Sequence, residues 1–177
     1  LISRPLNWRR SELEMARILR DGEPRLLVGS EEYTTLVESL AKEASIPHAL
    51  VFTTDPNGDY EQLISGATAG TVTGEEEVTG SDPALILYTG GTTGESKGAL
   101  HSHHSLYMGM LNQSIAERIV PTDVYMLTGQ MFHIPVALAM NYMAHGCPVV
   151  LINFDAQLAL EVIEQEKVSA CLGIPTM

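Results

Sequence analysis

Residues Tyr88 to Gly98 read Tyr-Thr-Gly-Gly-Thr-Thr-Gly-Glu-Ser-Lys-Gly and continue an apolar run that begins at Ala84. Glycines let successive backbone N–H groups converge on an anion without Cβ interference, threonine hydroxyls add donors, and a lysine ammonium supplies a point charge. That combination suits a polyphosphate. Thr89, Thr92, Thr93 and Lys97 would act through side chains, and Gly90, Gly91 and Gly94 through backbone. An ordinary tight turn needs one or two glycines, whereas this stretch holds four together with three threonines. Lys97 is also the only lysine or arginine between Lys42 and Arg118, in a chain of formal net charge -12. The spacing departs from Gly-x-x-x-x-Gly-Lys-[Ser/Thr], because Ser96 precedes the lysine and Gly98 follows it.

Other residues could do chemistry with less context. His133 follows Phe132 at the entry to an apolar segment, where it can face a pocket or hydrogen-bond to backbone. His101 and His103 would share one face of a strand and His104 would precede a helix starting at Ser105, but further metal ligands are not evident nearby. Glu75, Glu76 and Glu77 are adjacent on a polar stretch, a poor arrangement for converging on one ion. No metal site is assigned. Met108, Met110, Met126, Met131, Met140 and Met143 suit core filling more than the lining of an apolar pocket.

The elements that position these residues follow from periodicity. Leu26–Val28, Ala49–Phe52, Ala84–Tyr88, Val149–Ile152 and Val168–Leu172 read as strands, their continuous apolarity suiting parallel strands covered on both faces. Ser11 with Glu14 forms a capping-box pattern for a helix over Glu12–Arg20, with Gly22 beyond its end. Tyr33, Leu36, Val37, Leu40, Ala41 and Ala44 make one helical stripe. Further helices are expected over Tyr60–Ile64, Ser105–Ile119, Ile134–Ala144 with Pro135 in its first turn, and from Asp155 to Lys167. The alternation predicts an α/β fold, with mostly parallel sheets covered by helices. Asp55–Pro83, rich in Gly, Thr, Asp and Glu, reads as an irregular surface connection.

Composition excludes several classes. With 45% hydrophobic residues the 177-residue chain can bury a core. Its acidic balance argues against nucleic-acid or anionic-membrane partners, and the early arginines are interspersed with glutamates as on a solvated helix face. No run of 18 apolar residues indicates an integral membrane segment. Cys147 and Cys171 have no metal or redox spacing, and a reducing, cytoplasmic setting is expected. The first residue is Leu1 and the last Met177, consistent with a segment of a longer protein, and nothing in the residues sets an oligomeric state.

The Tyr88–Gly98 segment resembles the phosphate-binding signature of the AMP-forming adenylating enzymes, which include acyl-CoA synthetases, luciferases and peptide-synthetase adenylation domains. Gly90 and Ser96 stand where that signature usually has Ser and Pro, and neither change removes the lysine or the threonines. Pro5-Leu6-Asn7-Trp8-Arg9, Phe132-His133 and Gly173-Ile174-Pro175-Thr176 also resemble family segments, in family order, and the first tilts the choice toward CoA ligases. The resemblance implies that the parent protein activates a fatty or related carboxylic acid with ATP and Mg2+ and passes the acyl group to coenzyme A. Delivery to a carrier protein or other acceptor, and a non-catalytic nucleotide-binding module, stay open as alternatives. It implies phosphate stabilisation by Lys97, nucleotide contacts from Thr89 to Gly94, and an acyl-side role for His133. It further implies that residues 1–177 are part of the large N-terminal domain, without the C-terminal domain, and inactive alone.

Overall fold

The computed structural model describes residues 1–67, 78–89 and 96–175. The chain divides into two compact units: Leu6–Val78 with Tyr88–Gly98, and Leu1–Pro5 with Thr79–Leu87 and Ala99–Met177.

In the first unit the Ser11 hydroxyl accepts the Glu14 N–H, and the Ser11 N–H donates to Glu14 Oε2 at 3.0 Å. This reciprocal cap starts α1, Glu12–Gly22. Hydrogen bonds from the Ser11 side chain and backbone hold the Glu14 carboxyl below the usual range. The helix runs past the expected end at Arg20 and includes Gly22. Glu23, at φ 43°, takes the left-handed capping position and donates its N–H to the Leu19 carbonyl at 3.0 Å.

Met15, Ala16 and Leu19 of α1 bury their side chains with Leu40 and Ala41 of α2 (Thr34–Glu43) and with Ile46. Each of the larger ones contributes about 1.5–3 kcal/mol by leaving water. Arg20 and Glu43 pair at 2.6 Å between the exposed faces of the two helices. β1 (Leu26–Ser30) and β2 (His48–Phe52) are parallel, in register from Leu26↔His48 to Ser30↔Phe52, with α2 as their crossover. A Cβ on Gly29 would lie 2.4 Å from Val37 Cγ2, so a side chain there would push α2 off the strand. The expected burial of both strand faces is not found: Leu27 packs on the core, whereas Leu26 is 51% and Val28 48% exposed. α3 (Asp59–Ser65) follows, matching the short helix expected in the Asp55–Pro83 connection, and Glu75–Glu77 lie outside the described residues.

β3 (Pro83–Thr89) and β4 (Lys97–Ser102) form a two-stranded sheet, and each passes from one unit to the other near its loop end. In the second unit Ser3 bridges Leu85 in parallel, through Ser3 N–H to Ala84 O and Ile86 N–H to Ser3 O, both 2.9 Å. α4 covers His103–Glu117, so His103 and His104 are helical, correcting the strand assignment of His103 and the start at Ser105. The reason is local: the Ser102 hydroxyl accepts the Ser105 N–H at 3.1 Å and caps the helix earlier.

The main sheet of this unit has the order β6-β5-β7, all parallel. β5 (Tyr125–Leu127) is fully buried between β6 (Val149–Leu151) and β7 (Ala170–Cys171). α5 (Ile134–Ala144) joins β5 to β6, and α6 (Ala156–Glu166), capped by Asp155 through the Leu158 N–H at 2.9 Å, joins β6 to β7. Ile119, Tyr125, Leu127, Ala139, Tyr142 and Cys147 form the core. Tyr125 and Tyr142 stack at 4.5 Å, and Tyr142 donates its hydroxyl to Glu117 at 2.8 Å. Asn141, fully buried, donates to the Met110 carbonyl at 3.2 Å and accepts from Ser114 Oγ at 3.3 Å, locking α5 onto α4. Burial pushes the Cys147 thiol up, and Cys171 is exposed. Of the methionines, Met126 fills core, whereas Met108, Met131, Met140 and Met143 are exposed, contrary to the core-filling expectation. No helix among the described residues is long and apolar enough to cross a membrane.

Candidate functional site

The stems of the glycine-rich loop are strand ends. Thr89 closes β3 and Lys97 opens β4, both exposed, while Gly90, Gly91, Thr92, Thr93 and Gly94 lie outside the described residues. The Thr89 hydroxyl faces the Lys97 carbonyl at 3.5 Å, long for an O–H···O bond and therefore weak. A threonine so lightly engaged can turn its hydroxyl to an incoming acceptor. One residue earlier, the Tyr88 hydroxyl donates to Asp21 Oδ2 near the end of α1, a charge-assisted bond that ties the first stem to that helix.

The far ends of the same two strands are tied to a turn in the second unit. The N–H groups of His103 and His104 donate to the carbonyls of Asp82 and Gly80 at 3.1 and 2.8 Å. The Thr79 N–H and hydroxyl donate to Asp82 Oδ2 at 2.6 and 3.0 Å. These bonds, the backbone one foremost, hold the Asp82 carboxyl below the usual range, with His103 adding a smaller attraction. His103 and His104 thus serve this turn through their backbone. No three His, Cys, Asp or Glu side chains gather as a metal site among the described residues.

His133 is exposed and stands at the N-cap of α5, directly after the loop that leaves β5. The loop is folded back on the helix: the His133 N–H donates to Gln130 O and the Val136 N–H to His133 O, both at 3.2 Å. A Cβ on Gly129 would sit 2.4 Å from Pro135 Cγ, so only glycine permits this close approach without displacing the first helical turn. Because the sheet is parallel, the loops after β5 and β7 leave it at the same edge. The second motif, Gly173-Ile174-Pro175, is therefore brought to the edge that carries His133, and Thr176 lies outside the described residues. Asp21, Thr128 and Gly129 escaped the sequence reading. The available signal was the short run Val124–Leu127 ending in Thr-Gly, too short to register as a strand by periodicity.

Comparison with known proteins decides the family. The model of the family described as AMP-binding enzyme matches residues 1–177. The chain belongs to the AMP-binding enzyme family. An indoleacetate–CoA ligase of Aromatoleum aromaticum is 28% identical over 97% of this chain and 34% of its own length. A long-chain-fatty-acid–CoA ligase of Mycobacterium tuberculosis is 25% identical over 96% of this chain and 33% of its own. The chain thus spans about a third of the length of these curated relatives. Among solved structures, ATP-bound MatB from Rhodopseudomonas palustris superposes with a TM-score of 0.82 at 25% identity, over 99% of this chain and 34% of that one. The N-terminal domain of FACL13 from Mycobacterium tuberculosis gives 0.86 at 22% identity, over 99% of this chain and 44% of that one, a likeness of fold. The α/β class, with parallel sheets and covering helices, is shared with these structural neighbours.

Proposed function

We propose that the protein carrying these residues activates a carboxylic acid with ATP and transfers the acyl group to coenzyme A. The observation that carries the reading is the family match over the whole chain, together with curated relatives that are CoA ligases. In the first step the substrate carboxylate oxygen bonds to the α-phosphorus and the bond to the bridging oxygen of pyrophosphate breaks. In the second, the coenzyme A thiol gives up its proton, its sulfur bonds to the acyl carbon, and AMP leaves.

Lys97 is assigned to the charge that gathers on the departing β- and γ-phosphates, with Thr89, Thr92 and Thr93 donating from hydroxyls and Gly90, Gly91 and Gly94 from backbone N–H groups. Fixed donors of this kind stabilise the transition state without reorganising. The anchoring of Tyr88 on Asp21 supports the assignment, since a stem held in place keeps the lysine's strand pair in place. Mg2+ would lower the charge on the bound phosphates. No group of three His, Cys, Asp or Glu side chains that could hold it occurs among the described residues.

His133 is assigned to the acyl side of the site. Met131 and Ile134 beside it are 56% and 54% exposed, apolar neighbours that favour a fatty or related acyl group. Residues 1–177 are proposed as part of a large N-terminal domain, working with a C-terminal domain elsewhere in the polypeptide and inactive alone. A cytoplasmic setting is proposed from the two free thiols.

The experiment is ATP–pyrophosphate exchange by the whole protein over a panel of fatty, aryl and short-chain acids, with coenzyme A thioester formation measured alongside. Exchange and thioester formation dependent on a fatty acid are expected. Exchange without thioester would place the acyl group on a carrier protein or other acceptor. No exchange with any acid would overturn the enzymatic reading.

A further inference from the structure

Thr128 is 6% exposed, one of two buried polar residues in the described core, and it stands at the first position beyond β5. Its Oγ1 donates to the carbonyl of Leu172 at 2.6 Å. The partner lies just beyond β7, whose ladder with β5 pairs Tyr125 with Ala170 and Met126 with Cys171 and then stops. The side-chain bond therefore continues, by one position, a strand pairing that the backbone has given up. Beyond it the two chains diverge, one into Gly129–His133 and the other into Gly173–Pro175.

A hydroxyl buried at this place is costly unless it is bonded, and a Val of the same shape would fill the space without that cost. Packing alone does not call for the oxygen, whereas fixing the separation of two loops does. The neighbouring residues transmit that constraint to His133: Gly129 is seated against Pro135, and the His133 N–H is held by Gln130 O at 3.2 Å. Nothing in the Leu172 loop besides this bond ties it to the loop of His133 among the hydrogen bonds of the described residues.

We propose that Thr128 is a positioning residue for the acyl side of the site. Its hydroxyl sets the distance between the His133 loop and the Gly173–Pro175 loop, and so sets the fit of the acid substrate. The inference rests on the acid-activating reading above and concerns use of the acid, not of ATP.

The test compares Thr128→Val, which removes the hydroxyl at constant shape, with Thr128→Ser, which keeps it, in the whole protein. In acid-dependent pyrophosphate exchange Thr128→Val should raise KM for the acid about tenfold, the factor that one hydrogen bond of ordinary net worth corresponds to. KM for ATP should stay within about twofold, and Thr128→Ser should restore the acid KM. Should Thr128→Val not fold, Thr128→Cys, with its weaker donor, should give an intermediate rise. An unchanged acid KM in the folded variant, or an equal rise for acid and ATP, would overturn the proposal. Hydrogen exchange read without any substrate separates this from the reading it rests on. The Ser169 and Ala170 amides, bonded to Val124 O at 2.9 and 3.2 Å, should exchange faster in Thr128→Val while α6 amides do not change. Unchanged exchange at Ser169 and Ala170 would contradict the anchor itself, whatever the wild-type protein catalyses.

Discussion

The Tyr88 hydroxyl donates to the Asp21 carboxylate, linking the residue before the glycine-rich loop to the last turn of α1 across 67 positions of sequence. The bond is exposed, so its worth lies less in stability than in fixing where the loop begins. Asp21→Asn and Tyr88→Phe should each raise KM for ATP severalfold, about the effect of one charge-assisted hydrogen bond weakened by solvent, with KM for the acid unchanged. Steady-state kinetics with each substrate varied in turn checks this, and an unaltered ATP KM in both variants would remove the anchoring role.

Tyr125 is 2% exposed and among the described residues its hydroxyl makes no hydrogen bond of normal geometry, only a weak approach to the Leu172 backbone, while Tyr142, stacked on it, donates to Glu117. Tyr125→Phe should leave stability unchanged or raise it by about 1 kcal/mol, since a buried, poorly bonded hydroxyl is removed. A fall in Tm of several degrees would contradict the packing described.

The same pair sets a pH dependence. Burial, with the Glu117 charge next in weight, pushes Tyr125 up to about 12, and burial followed by the Glu117 hydrogen bond pushes Tyr142 up as well. Both groups hold their protons longer folded than unfolded. The contribution of Tyr125 to stability is complete below the unfolded value near 10 and is lost as pH rises through its folded value of about 12, and that of Tyr142 is lost in the same direction through its own raised value. In a tyrosinate absorbance titration, the difference between wild type and Tyr125→Phe should appear near pH 12, and a difference centred near pH 10 would show that the ring is not buried.

Asn141→Ala would leave the Met110 carbonyl and the Ser114 hydroxyl without their buried partner. A loss of about 1–3 kcal/mol is expected, with Ser114→Ala costing less because that hydroxyl also donates to Met110 O at 2.7 Å. Thermal unfolding of the two variants checks the order.

Much of this architecture is legible in residue spacing, and its exceptions have physical causes. The capping box at Ser11, the stripe Val37, Leu40 and Ala41, and α5 from Ile134 to Ala144 stand where the pattern puts them, because each is set by local periodicity and capping chemistry. β5 was not legible: three residues are too few to show a period, and it exists because β6 and β7 pair with it on both sides. Sequence alone does not separate a helix start at His103 from one at Ser105, because Ser102 and Ser105 are both capping residue types and only the hydrogen bond between them decides. For the candidate site, the glycine, threonine and lysine pattern carries its own chemistry, and Lys97 and His133 could be singled out from motif alone. Asp21 and Thr128 could not, since each acts through a partner that is distant in sequence, Tyr88 and Leu172 respectively.

The central claim is that Lys97 stabilises charge on the phosphates during adenylation. Acid-dependent ATP–pyrophosphate exchange by the whole protein should fall about 10²- to 10³-fold in Lys97→Ala, the usual cost of removing a transition-state donor, with the fold and Tm retained. Exchange at the wild-type rate in that variant would contradict the account.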